Sequence, residues 1–146
     1  MADLALVEID PHTFIPKVIE YIAVHDLGRL INPQLVRGQI SGGIMHGIAG
    51  ALYEELDYDA DGQMITGSLQ DYLCPTASEA PVMIIDHHDT PSPFTELGVK
   101  GCGENSAMTA PAVIASAIDD AIGSGRYVTA LPIKPANLFQ QIEGRA

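Results

Sequence analysis

The stretch that decides the fold runs from residue 32 to residue 56 and reads NPQLVRGQISGGIMHGIAGALYEEL. Asn32 can accept hydrogen bonds from the first free backbone amides of a helix, and Pro33 suits the first helical position. Apolar side chains then recur at every fourth residue, at Val36, Ile40, Ile44, Ile48 and Leu52. This spacing predicts a long helix that begins at Pro33 and ends near Leu56.

Glycines are frequent inside this helix, at Gly38, Gly42, Gly43, Gly47 and Gly50. Each is unfavourable by roughly 1 kcal/mol relative to Ala in a helix interior, so something must require a close approach to the backbone. Packing against a neighbouring helix or sheet is one explanation, and periodicity favours it. The other is a cofactor that lies against the backbone, with Gln39 supplying side-chain hydrogen bonds.

Strand-like segments surround this helix. Residues 4–9 and 18–24 are rich in β-branched and apolar residues and flank a turn-forming Asp-Pro-His-Thr cluster, so they predict a hairpin or two neighbouring strands. Residues 64–69 and 82–86 predict two further short strands.

A second helix is expected after the glycine-rich loop, with Thr109 as its cap, Pro111 in its first turn and Gly123 as its end. Its aspartates, Asp119 and Asp120, are expected to face solvent. Residues 127–133 then predict a strand and residues 135–142 a short helix. We therefore expect residues 1–146 to form one α/β (α+β) unit, a mixed sheet with one long glycine-rich helix and one or two shorter helices.

Composition limits the possible partners. The chain has 146 residues, 47% of them apolar, and a net charge of -12 from 7 basic and 19 acidic residues. Such an acidic domain repels nucleic acid and anionic membranes, and we see no apolar run long enough to span a bilayer. With only two cysteines, a disulfide framework is not expected, and the prediction is a cytoplasmic protein.

Two acidic segments could suggest metal sites, but neither fits. Residues 57–62 match the start of an EF-hand loop, yet the twelfth position is Ser68 instead of a bidentate Glu, so a solvated turn is expected. Residues 86–89 read DHHD, but neighbours in a strand point to opposite faces and cannot easily converge. No protein metal site is predicted.

The segment GVKGCGE, residues 98–104, places Lys100 and Glu104 among three glycines. Glycines let a substrate approach the backbone, which makes Glu104 a candidate general base at the positive end of the following helix. A tight turn with a capping acid explains the same residues equally well. A GxGxxG nucleotide loop fits poorly, because Ser106 stands at the third glycine position.

Several motifs, taken in order, resemble one known family. They are DLG at 26–28, INP at 31–33, VRGQISGG at 36–43, Gly47 with GALYEE at 50–55, Tyr72 with Pro75, and GVKGCGE at 98–104. Their order and spacing resemble the C-terminal part of the molybdenum-binding subunit of the xanthine dehydrogenase, aldehyde oxidase and aerobic carbon monoxide dehydrogenase family. The resemblance covers nearly the whole chain and implies part of a molybdopterin-binding domain.

The resemblance implies a molybdenum hydroxylase that oxidises an aldehyde, an N-heterocycle or a similar small substrate by water-derived hydroxylation. In that family the glutamate of the glycine loop, here Glu104, is the base, and a buried glutamine, here Gln39, binds the pterin cofactor. Gly38 and Gly103 accompany them as cofactor-binding positions. His46 stands where the family often has a second glutamine, and we expect packing more than pterin contact there. For Lys100 a structural role is favoured.

The family's molybdenum–pterin cofactor, in a dinucleotide form, works with iron–sulfur clusters and FAD on partner subunits or domains. Family subunits are several times longer than this chain, so we expect the chain to need the remainder of the molybdenum subunit. An exposed apolar docking surface should mark that interface and could also support a homo-oligomer. The alternative is a non-catalytic assembly module that keeps the fold without the cofactor.

Overall fold

The computed structural model describes residues 1–123 and 127–143, which form a three-stranded sheet with helices on one face. In chain order the elements are β1 (Ala2–Ile9), β2 (Pro16–His25), α1 (Pro33–Leu52), β3 (Val82–His87), α2 (Asn105–Ile122) and α3 (Pro135–Glu143). The strand order is β1-β2-β3, with β1 antiparallel and β3 parallel to β2. The predicted mixed α+β fold is confirmed, together with the first two strands and the strand before the glycine loop.

A β-bulge divides the β1–β2 hairpin and decides which side chains face the helices. Leu6 pairs with Glu20 and Val7 pairs with Val18, so Ile19 is an extra residue in β2. The extra residue changes which alternate side chains of β2 point toward the helices. As a result Tyr21 and His25 are both buried under the helices.

Helix α1 begins as predicted, because the Asn32 side chain accepts a hydrogen bond of 3.1 Å from the Leu35 amide. It ends at Leu52, four residues before the predicted end near Leu56. The reason is tertiary: the Ile133 amide donates to the Ala51 carbonyl at 2.7 Å, so a distant segment takes the place of the next helical turn.

Helix α2 begins at Asn105, earlier than predicted, and the assignment of Thr109 as its cap is wrong. Glu104 is the cap residue, and Pro111 lies inside the helix instead of in its first turn. Packing of this end of α2 against α1 offsets the hydrogen bond that the proline removes. The predicted end is confirmed, since the Gly123 amide caps the Asp119 carbonyl.

Two predicted strands are wrong. Residues 64–69 contain only an isolated bridge from Met64 to Tyr58 and otherwise form turns. Residues 127–133 contain no strand, because their amides bind elsewhere: those of Tyr127 and Val128 donate to Asp119 Oδ1 at 2.8 and 3.0 Å. Asp119 is therefore half-buried and does not face solvent as expected. The short helix predicted after this segment is confirmed as α3.

The glycines of α1 divide into two groups. A Cβ at Gly43 would lie 3.0 Å from the Ser106 Cβ, and one at Gly47 would lie 2.5 Å from the Ala110 Cβ. These two glycines let α1 and α2 pack closely, as the packing explanation requires. At Gly38, Gly42 and Gly50 a Cβ would meet nothing within 4 Å in the described chain, so packing inside the chain does not explain them.

The face of the sheet opposite the helices is apolar and exposed. Leu4, Ile22 and Ile84 lie side by side across the three strands, and the exposed fractions of Leu4 and Ile84 are 57% and 48%. Leu6 and Val82 extend the same face, with exposed fractions of 55% and 64%. An exposed apolar row of this kind is typical of interaction surfaces. None of the described helices is long and apolar enough to cross a membrane.

Candidate functional site

The glycine-rich loop is held against the segment that follows β2. The Lys100 amide donates to the Leu27 carbonyl at 2.9 Å, and the Arg29 amide donates to the Gly98 carbonyl at 3.0 Å. Gly28 has a φ of +65°, and a Cβ there would lie 2.2 Å from the Gly98 oxygen. Only glycine permits both the conformation and the approach, so the DLG motif and the glycine loop form one unit.

Lys100 binds Asp26 and not Glu104. Its Nζ lies 2.5 Å from Asp26 Oδ2 and 2.7 Å from Thr90 Oγ1, and the Thr90 hydroxyl also donates to the Asp26 carboxylate. The Lys100 ammonium, followed by the Thr90 hydroxyl and the Gly28 amide, holds the pKa of Asp26 well below its usual range. Lys100 therefore has the structural role that the sequence favoured.

Replacement of Asp26 by Asn should change the dependence of stability on acid. Because the folded-state pKa of Asp26 is depressed, its ionic contribution is present above the unfolded pKa, near 3.9, and is lost as the pH falls through the lower folded value. We expect Asp26→Asn to be less stable than wild type at pH 6, and the difference to shrink as the pH is lowered below about 4. Urea unfolding across this range measures it, with Asp61→Asn, an exposed turn residue, as control. A difference that is independent of pH would contradict the assignment.

Glu104 lies at the start of α2 with its side chain exposed. Its carbonyl accepts the Met108 amide at 3.2 Å, but its carboxylate makes no capping bond to the helix. The adjacent Gly103 is also exposed, and a Cβ there would meet nothing within 4 Å. The carboxylate is thus accessible at the N-terminal end of the helix.

Gln39 lies on the exposed side of α1 near the open glycines Gly38 and Gly42. The expectation of a buried glutamine is wrong for this chain, because no segment within residues 1–123 and 127–143 covers that side of the helix. Within residues 1–123 and 127–143, no hydrogen bond engages the Gln39 amide group. Its donor and its acceptor are both available to another molecule.

The contact between the helices brings Gln39 and Glu104 to the same end of the helix pair. Gly43 packs on Ser106, and Gly47 packs on Ala110, so α1 and α2 run in the same sense along their contact. Gln39 is about one turn before Gly43, and Glu104 is two residues before Ser106. Among the described residues, glycines with an open surface, an amide group without hydrogen bonds and a carboxylate without a capping bond therefore lie at the same end of the helix pair.

His46 is also exposed, about 10 Å further along α1 by the rise of the helix. It lines a groove of about 410 Å³ together with Met45, Cys74 and Pro75. The structure thus places His46 apart from Glu104, and the expectation that it is packed is wrong for the isolated chain.

The other acidic segments do not assemble a metal site. Asp59 Oδ1 accepts the amides of Asp61 and Gln63 at 2.9 Å each, which closes the predicted turn. Across the described ranges 1–123 and 127–143, no group of three or more His, Cys, Asp or Glu side chains could hold a metal ion.

Comparison with known proteins decides the family. A family model described as the molybdopterin cofactor-binding domain matches residues 1–81. The chain belongs to the molybdopterin cofactor-binding domain family. This confirms the resemblance inferred from the ordered motifs, and with it the class of cofactor that the family binds.

Relatives of this member of the molybdopterin cofactor-binding domain family are subunits of oxidoreductases. It is 44% identical to the 6-hydroxypseudooxynicotine dehydrogenase complex subunit gamma of Paenarthrobacter nicotinovorans, over 97% of the chain and 18% of the relative. It is 38% identical to the carbon monoxide dehydrogenase large chain of Hydrogenophaga pseudoflava, over 81% of the chain and 15% of the relative. Quinoline 2-oxidoreductase from Pseudomonas putida 86 superposes with a TM-score of 0.91 and 43% identity, over 95% of the chain and 18% of that structure. The chain thus spans less than a fifth of the length of these relatives.

Sequence reasoning missed the side chains that hold the site in place. Asp26 was visible only as part of the DLG motif, and nothing in the sequence connected it with Thr90, 64 residues away. The same holds for Asp3 and Thr109, which are 106 residues apart and in contact. An acid at the end of a strand and a lone lysine in a glycine loop were the available signals.

Proposed function

We propose that residues 1–146 are the C-terminal portion of the molybdenum subunit of a molybdenum hydroxylase. In this proposal Glu104 is the general base, and Gln39, Gly38 and Gly103 contact the pterin cofactor. The observation that carries it is the common location of an unengaged carboxylate and an unengaged amide beside glycines that packing does not explain. Membership of the family supplies the class of cofactor.

The residues on this side of the chain fit a pterin. A pterin edge alternates hydrogen-bond donors and acceptors, and the Gln39 amide offers one of each. Gly38 and Gly42 leave the α1 backbone uncovered, so a flat ring can approach it. When bound, the molybdenum–pterin group, in a dinucleotide form, supplies two-electron oxidation chemistry. In this proposal His46, which lines the groove with Cys74 and Pro75, contacts a more distant part of a large cofactor.

The chain's own contribution is proton transfer. Glu104 accepts a proton from the water-derived oxygen that attacks the substrate carbon, which is the role of a positioned carboxylate in general base catalysis. The net reaction converts substrate C–H and water into C–OH, two protons and two electrons. The electrons leave through iron–sulfur clusters and FAD on partner subunits. We infer an aldehyde, an N-heterocycle or a similar small molecule as the substrate.

We propose the remainder of the molybdenum subunit as the main partner of this chain. The exposed sheet face formed by Leu4, Leu6, Ile22, Val82 and Ile84 supports this, as does the small share of its relatives that the chain spans. In this view the buried environment of Gln39 is completed by segments outside the chain.

Oxygen labelling tests the proposed reaction. The chain is co-expressed with the missing segments of the subunit and its partner subunits, and the complex is assayed with aldehydes and N-heterocycles in H₂¹⁸O with an electron-accepting dye. We expect ¹⁸O in the hydroxylated product and one two-electron reduction of dye for each product molecule. A complex that never acquires cofactor and never turns over would instead favour the non-catalytic assembly module.

A further inference from the structure

A buried polar cluster joins the sheet to α2. It lies on the side of the helix that faces the sheet, away from solvent. The Asp3 carboxylate lies at its centre, with Oδ1 at 3.0 Å from His25 Nε2 and Oδ2 accepting the Thr109 hydroxyl. The side chains of His25 and Asp3 are 0% and 2% exposed. A carboxylate removed from water in this way is stabilised only while its partners remain in place.

This cluster contacts α2 next to the turn that carries Glu104. Thr109 Oγ1 lies 3.1 Å from the Asn105 carbonyl oxygen, and the adjacent Met108 amide donates to the Glu104 carbonyl. The Thr109 hydroxyl has a single hydrogen, which it donates to the Asp3 carboxylate, so the Asn105 carbonyl is a neighbouring oxygen and not a second acceptor. Thr109, a residue of α2 one turn after its start, therefore ties the helix to the sheet through Asp3. Movement of Asp3 would be transmitted to the helix end one turn away.

Further polar atoms are buried in the same region without partners in the described chain. They are the Tyr21 hydroxyl, His25 Nδ1 and Ser106 Oγ. Tyr21 lies close enough to Asp3 and to Thr109 for both to affect its pKa, which burial raises above the ordinary range of tyrosine. Several buried polar groups in one region make the local structure rigid only while the hydrogen bonds at the centre of the region are formed.

We propose that Asp3 and Thr109 are positioning residues for Glu104. Asp3, held by His25, binds the Thr109 hydroxyl and so sets the rotation of the first turn of α2 and the direction in which the Glu104 carboxylate projects. This inference rests on the proposed function for the role of Glu104, but the positioning itself is a property of this chain. Glycine-rich loops define direction poorly, so a fixed bond behind the loop serves a base that must meet its substrate accurately.

The test uses the assembled molybdenum subunit and two substitutions at one position. Thr109→Val keeps the shape and removes the hydroxyl, whereas Thr109→Ser keeps the hydroxyl. We expect Thr109→Val to lower kcat roughly ten- to a hundredfold with KM nearly unchanged, and to speed amide hydrogen exchange at residues 106–109. Thr109→Ser should restore both. Thr129→Val is the control, because it removes an exposed hydroxyl whose one hydrogen bond among the described residues comes from the Gln141 amide.

The outcomes separate this inference from the proposed function. Wild-type kcat or unchanged exchange in Thr109→Val would overturn the positioning role. If that variant does not assemble, Asp3→Asn replaces it, and failure of both to assemble would make the cluster a folding element and also overturn the proposal. Turnover that survives Glu104→Gln would overturn the proposed base, while hydrogen exchange in the cofactor-free subunit would still measure whether Thr109 orders the first turn.

Discussion

Replacement of Glu104 by Gln in the assembled enzyme is expected to lower turnover by roughly 10²–10⁴-fold, the usual contribution of a general base. Gln has the size of Glu but cannot accept the proton. Because the Glu104 side chain is exposed and makes no capping bond to α2, the substitution should leave folding intact. Molybdenum and pterin content should therefore equal that of wild type. Steady-state kinetics together with metal and pterin analysis of the same sample measure both quantities.

The matched control for this variant is Glu96→Gln, which changes another exposed acid in the loop before the glycine motif. It removes the same charge at a distance of eight positions in the sequence, so it separates loss of the base from loss of local negative charge. We expect near wild-type turnover in the control. Full activity in Glu104→Gln would remove Glu104 from the mechanism.

Substitution of Gly47 by Ala is expected to destabilise the chain by a net 1–2 kcal/mol or so, although alanine is the better helix former. The new Cβ would lie 2.5 Å from the Ala110 Cβ and 3.1 Å from the Pro111 Cδ, side-chain atoms that are attached directly to the backbone of α2 and cannot rotate away. The helices must separate, and the seam loses contacts along its length. Urea unfolding of the purified chain measures the change.

The same substitution at Gly50 is the control, because a Cβ there would meet nothing within 4 Å. Gly50→Ala should leave stability unchanged or raise it by about 0.5–1 kcal/mol. A Gly47→Ala variant as stable as Gly50→Ala would show that the two helices do not pack as described.

The central part of the fold could be predicted because its signals are local. Asn32 and Pro33 mark the start of α1 by their own chemistry. The apolar residue at every fourth position shows which side of the helix is buried, and this does not depend on which element packs against it. The β-branched and apolar composition of β1 and β3 identifies those strands in the same way. Interactions within a few residues of one another determine these features, so one sequence contains enough information.

The wrong predictions depend on distant partners. The segment that begins at Tyr127 has the composition of a strand, but it bonds to Asp119 and to the end of α1 instead of a strand edge. Thr109 has the side chain of a cap, but its hydroxyl binds Asp3. Propensity describes what a segment prefers in isolation, and a long-range hydrogen bond outweighs a difference of a few tenths of a kcal/mol.

The candidate site shows the same division. Residue chemistry alone left GVKGCGE open between a turn and a site, and only the ordered motifs around Gln39 favoured a site. Structure adds that Lys100 binds Asp26, so the two charges of the loop have separate roles. It also shows that Gln39 is exposed among the described residues, which no local pattern could reveal because the burial of a helix side depends on distant segments.

The most direct test of the central claim is the molybdenum and pterin content of the chain, purified alone and purified in complex with the missing segments of the subunit. We expect stoichiometric cofactor in the complex and none in the isolated chain, and we expect Gln39→Ala to retain less pterin in the complex than Gln34→Ala, an exposed glutamine of the same helix. An isolated chain that holds stoichiometric molybdenum and turns over substrate, or a complete complex that never acquires the cofactor, would contradict the claim.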